Sequence, residues 1–210
     1  AFCANSGWTK ENPARLIKSS PATPKEPTVL ETGEIKRLRR VLAGKKGLLI
    51  RRNRLIFEIL LGTGIRLGSL VGLNRGDVDL RTGTLNIRLK GGIDDRVFLN
   101  PGLGRLLRQF LKENAPHASI GPHTPLFQSQ SGNRLSARQI QFRFARWFQE
   151  AGIDRRVSLH SLRHTFATRL YEKTGDLHLV QRALGHRQIT TTEIYARVGE
   201  GALRQVMRWN

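Results

Sequence analysis

In VSLHSLRHTFATRL (157–170), His160, Arg163 and His164 occupy adjoining positions, with Arg163 three residues after His160. On a helix, a histidine and an arginine one turn apart can converge on a single anion. Taken alone, the segment reads first as the polar helix face of a basic protein. His160 and His164 also stand at the i, i+4 spacing of zinc-binding helices. Ser161, however, replaces the glutamate that follows the first histidine of HExxH, and no nearby carboxylate or thiolate completes a ligand set.

In LGTGIRLGSL (61–70), Arg66 follows a glycine-punctuated helix end among Leu, Ile and Gly, and no acidic residue lies within seven residues of it. Such an arginine should be partly buried and needs an anion; a phosphate meets the need. Capping backbone carbonyls is the alternative. Lys90 stands where a strand meets a turn in RLKGGIDDR, the usual place of a solvated lysine. His186 follows the helix-ending Gly185 in LGHRQITTT, nine residues before Tyr195. Tyr195, in ITTTEIYARV, is one of two tyrosines; the other is Tyr171. Residue type alone assigns a tyrosine to packing.

Together these side chains make a metal-free kit for phosphoryl transfer. Two arginines fork onto nonbridging oxygens and stabilise charge in the transition state. A tyrosine hydroxyl attacks phosphorus once a neighbour takes its proton, and a lysine or histidine protonates the leaving oxygen. No clustered carboxylates offer a two-metal site.

Composition fits such a substrate. The 210 residues carry 36 Lys+Arg against 16 Asp+Glu, a formal charge of +20. The chain therefore attracts polyanions, nucleic acid first and an anionic membrane surface second. Hydrophobic content of 39% supports a folded core. The lone Cys3 excludes an internal disulfide and a cysteine-rich zinc site, and suits a reducing compartment. No apolar stretch is long enough to span a membrane. A cytoplasmic location is expected.

The elements that must position these residues are mostly helical. PARLIKSSPATPKEPTV (13–29), with four prolines, reads as a linker, and a compact region should start near Leu30. Ile35, Leu38, Val41 and Leu42 predict a helix over 33–43 behind a Thr32 cap; a strongly apolar helix follows over 48–61, ended by GTG. Residues 76–100 read as short antiparallel strands. Further helices are expected over 103–113, over 137–151 behind a Ser136/Gln139 capping box, and over about 160–173 and 177–184, stopped by Gly175 and Gly185. Leu162, Phe166 and Leu170 should face the core. Thr190 and Glu193 form a second capping box that places Tyr195 early in a short helix. The fold class is mainly α with a small antiparallel β-sheet (α+β).

With these motifs assembled, the chain resembles the catalytic domain of the tyrosine recombinases, the phage integrase family, in the style of Xer-type and mobile-element integrases. The resemblance runs from the linker to Tyr195 through TGIR, the hairpin lysine, HSLRHTFAT, LGH and TTTEIY. The six residues are spaced by 24, 70, 3, 23 and 9. It implies that Arg66 and Arg163 bind the scissile phosphate and that Tyr195 attacks it, forming a 3′-phosphotyrosine link and releasing a 5′-hydroxyl. Lys90 is implied as the general acid, His160 as acid/base toward the tyrosine, and His186 as a hydrogen-bond donor to the phosphate. No ATP, metal or cofactor is implied.

The resemblance also implies a domain plan: 1–12 as the remnant of an N-terminal, SAM-like core-binding DNA domain, 13–29 as the linker, and 30–210 as the catalytic domain. The tail, 196–210, either folds back on its own core or docks on a neighbour in a homotetrameric synapse. The implied partner is a double-stranded DNA recombination site. Three departures stand out: Ser69 where the family commonly has an acid, a turn after Lys90 one residue longer than usual, and Arg197 where a histidine often follows the nucleophile. Two alternatives share the charge: a DNA-binding module without strand exchange, and a nicking-closing enzyme like the type IB topoisomerases.

Overall fold

The computed structural model describes residues 6, 27–44, 47–88, 92, 94–114 and 121–185. Within them seven helices and a three-stranded sheet follow one another: α1 (Thr32–Ala43), α2 (Leu48–Thr63), α3 (Leu67–Gly72), β1 (Val78–Asp79), β2 (Thr84–Arg88), β3 (Asp94–Phe98), α4 (Pro101–Glu113), α5 (Ala137–Glu150), α6 (Leu159–Thr174) and α7 (Leu177–Leu184). The mainly helical α+β expectation holds.

α2 is the centre of the core. Leu55, Ile56, Phe57, Ile59 and Leu60 are buried, and α1, α4 and α6 all pack on it. From α5, Ile140, Phe144, Trp147 and Phe148 are buried as their spacing predicts. Phe144 meets Phe57 at 6.3 Å between ring centroids and Trp147 edge-on at 4.8 Å. The capping box is formed: Ser136 Oγ accepts from the Gln139 N–H at 3.2 Å, and Gln139 Oε1 accepts from the Ser136 N–H at 2.9 Å.

The sheet is a β1-β2-β3 antiparallel meander, with Asn86 opposite Arg96 and Arg88 opposite Asp94. Leu85, Ile87 and Val97 bury one face, leaving Asn86, Arg88, Arg96 and Phe98 on the exposed side. Helix α3 packs against β2.

Two expectations need correction. Thr32 is not the cap of α1 but its first residue. The N-cap is Glu31, whose N–H donates to Glu34 Oε2 at 2.8 Å, while Thr32 Oγ1 accepts from Arg169. In α6, Leu162 is fully buried, but Phe166 and Leu170 are half-buried in a separate cluster with Ala167, Val180, Leu184 and Tyr171. α6 lies between two cores, so it also buries Ser161, Arg163, Thr165 and Thr168. A single apolar stripe misses this because the second cluster exists only once α7 folds against α6.

The segment just ahead of α1 is fastened to α6. The Leu30 N–H donates to Thr165 Oγ1 at 2.8 Å, and that hydroxyl donates to Ser161 O at 2.7 Å. Arg155, just ahead of α6, donates to Val29 O at 2.7 Å and pairs with the buried Glu34 at 2.5 Å. No helix among the described residues is long and apolar enough to cross a membrane.

Candidate active site

Three helix ends meet at Gly64. It closes α2 in the left-handed conformation (φ 65°), its N–H donating to Leu60 O at 3.0 Å. A Cβ there would stand 2.3 Å from Phe166 of α6 and 3.0 Å from Leu184 of α7. Only glycine permits both the turn and the approach. Two residues later, Arg66 is the extended N-cap of α3 (φ −69°, ψ 146°) and is half-buried. Its carbonyl accepts from the Leu70 N–H at 3.0 Å, while its side chain makes no hydrogen bond or ion pair among the described residues.

Arg163 is 4% exposed. Its Nη1 donates to Gly64 O at 2.6 Å and its Nη2 to Leu184 O at 2.8 Å. The carbonyl-capping role considered for Arg66 thus falls to Arg163. Its guanidinium joins the C-terminal ends of α2 and α7 to the second turn of α6, and so fixes its own orientation. Leu184 is two residues before His186 in the chain.

His160, exposed at the start of α6, and His164, half-buried one turn on, meet edge to face at 4.6 Å between ring centroids. Although the residue is largely exposed, desolvation of the packed side of its ring holds His160 below the usual histidine range, helped by the charges of Arg163 and Arg66. The same two arginines therefore act electrostatically on one imidazole. Burial pushes His164 down to about 4, with His160 and Arg163 adding to the effect. Both shifts favour the neutral ring, the form in which an imidazole accepts a proton.

The structure thus brings Arg66, His160 and Arg163 together. Lys90, His186 and Tyr195 lie outside the described residues. So do the Thr190/Glu193 box, the Gly91 side of the hairpin turn, and the tail. Two anchors reach toward them in sequence: Arg163 on Leu184 O, and Ser69 Oγ on Arg88 O at 2.9 Å, two residues before Lys90. The residue that motif reading left without a role is His164; its i+4 spacing from His160 is the signal that marks it. Tyr171 is half-buried in the small α6–α7 cluster, consistent with packing.

A wide cleft runs beside this group, lined by Ser69, Arg88, Arg96, Phe166 and Arg182 among others, but Arg66, His160 and Arg163 are not among its lining residues. The cationic group therefore lies outside that cleft.

Residues 29–201 match the model of the phage integrase family. The chain is 35% identical over 195 residues to the tyrosine recombinase XerC of Salmonella typhi and 33% identical over 195 residues to that of Yersinia pestis. In both cases this covers 92% of this chain and 63% of the relative. Among solved structures it resembles the XerH site-specific recombinase in a post-cleavage complex with palindromic difH substrate, with a TM-score of 0.77 and 30% identity. That match covers 91% of this chain and 55% of the other. The XerA recombinase gives a TM-score of 0.74 at 30% identity, covering 90% of this chain and 65% of the other. The chain spans less than two thirds of the length of each of these relatives.

Proposed function

Because the chain belongs to the phage integrase family, we propose that it is the strand-cleaving and rejoining part of a site-specific DNA recombinase. The observation that carries this reading is that Arg163, bonded to Gly64 O and Leu184 O, stands with His160 one turn before it and with Arg66 two residues beyond Gly64. The XerH relative, seen after cleavage of its difH substrate, supports it.

In this reading Arg66 and Arg163 hold the nonbridging oxygens of one phosphodiester of a double-stranded DNA recombination site. Tyr195 gives up its proton to His160, and its Oη bonds to phosphorus. The bond from phosphorus to O5′ breaks, Lys90 protonates O5′, and His186 donates a hydrogen bond to the phosphate. The 3′-phosphotyrosine retains the bond energy, so a 5′-hydroxyl from another strand reverses the step without ATP. None of these roles calls on a metal or a cofactor.

The tail, 196–210, is read as docking on a neighbouring copy in a DNA-bound homotetramer. Its Leu203, Val206, Met207 and Trp209 match in chemistry the exposed Phe98 and Leu179 of the cleft.

The test is a nicked suicide duplex run on a denaturing gel. A covalent protein–DNA band is expected for the parent and for Tyr171→Phe, unchanged by EDTA and absent in Tyr195→Phe. If no duplex, the cognate site included, gives a band, the chain is a binding module instead.

A further inference from the structure

We propose that Ser69 is a positioning residue for the leaving-oxygen step, acting through its hydrogen bond to the Arg88 carbonyl. The proposal rests on the reading of Lys90 as general acid and adds a residue to it.

Ser69 lies in the first turn of α3, three residues after Arg66. Its hydroxyl donates at 2.9 Å to the backbone oxygen of Arg88, the last residue of β2. Arg88 and Asp94 are the final pair of the β2–β3 ladder, and Lys90 follows two residues later in the chain. The side chains of that last pair hold it weakly. Arg88 Nε and Asp94 Oδ1 are 3.2 Å apart with both side chains 76% exposed, a geometry worth little in water. Among the described residues, Ser69 is therefore the side-chain tie between the base of the Lys90 turn and the helix that begins at Arg66.

This also accounts for the residue type. The family commonly has an acid at this position. An ionised carboxylate only accepts hydrogen bonds and would repel a carbonyl oxygen, whereas a hydroxyl donates to it. The serine thus suits an exposed strand end followed by a longer turn. Two residues span about 7 Å at most, so holding the Arg88 carbonyl limits how far Lys90 can stand from the phosphate that Arg66 binds.

Ser69 supports the cleavage step. The Tyr195 Oη–P bond forms, and the P–O5′ bond breaks with its electron pair passing to O5′. One proton moves from Lys90 Nζ to O5′, and the tyrosine proton goes to His160.

The experiment compares cleavage of a normal suicide duplex with one carrying sulfur in place of the bridging O5′, a leaving group that needs no acid. Lys90→Ala is expected to lose about 10²- to 10⁴-fold on the oxygen substrate and to recover on sulfur. Ser69→Ala should lose about 10-fold on oxygen, as small misplacement of a catalytic group does, and also recover on sulfur. Ser69→Thr, which keeps the hydroxyl, should restore the oxygen rate. Ser69→Ala should also speed backbone hydrogen exchange around Arg88 while leaving α2 protected. Equal slowing on both substrates, no slowing on either, or unchanged exchange at Arg88 each overturns the proposal. A Lys90→Ala variant that sulfur does not rescue overturns the acid assignment instead, and that failure is read on a different variant.

Discussion

Arg163 directs two N–H groups at backbone carbonyls of two other helices, Gly64 O and Leu184 O. A planar fork held in this way presents a fixed orientation; a lysine ammonium cannot reproduce both bonds at once. Burial, helped by the same charge, lowers both neighbouring histidines, and the sign of the pH response follows. His160 and His164 are depressed below the ordinary value of 6.5, His164 to about 4. As pH falls from about 6.5 toward about 4, the unfolded chain takes up protons that the folded chain refuses, so stability drops across that window. Cleavage should keep its rate down to pH values at which an ordinary histidine would already be charged. Thermal melts from pH 7 to 4 check the first expectation, and His164→Gln should flatten them. A cleavage pH profile with its acid limb centred at or above 6.5 would contradict the second.

Gly64 shows at the level of elements how one position can hold a site together. Gly64→Ala combines a left-handed backbone with a Cβ placed 2.3 Å from Phe166. The cost is about 2–4 kcal/mol, read as a lower urea midpoint. Because Gly64 O accepts from Arg163, cleavage should fall more than the loss of folded protein explains. The sequence GTG marked the helix end, since a glycine stop is a local signal. It could not show that Phe166, about a hundred residues away, makes that glycine obligatory. The same division runs through the molecule. The Ser136/Gln139 box and the α5 stripe were legible because their partners lie within a few residues. α3 was missed because six residues containing two glycines carry no periodicity. The Glu31 cap was misplaced by one because Thr32 is engaged by Arg169 of α6. Of the site, residue types and order were legible. The tie of Arg163 to two carbonyls was not, because carbonyls leave no trace in sequence.

For the whole molecule, the net charge of +20 should appear as salt dependence. If about six phosphates are contacted, affinity for duplex DNA falls about 10³-fold between about 50 and about 200 mM salt. Titrations at several salt concentrations give the slope, and a slope near zero would exclude a broad phosphate interface. The fastening of Leu30 to Thr165, with Val29 held by Arg155, has a mechanical consequence. The post to which the incoming chain is moored is the helix that carries His160 and Arg163. Tension on Leu30 is therefore passed to α6 at Thr165, the residue next to His164.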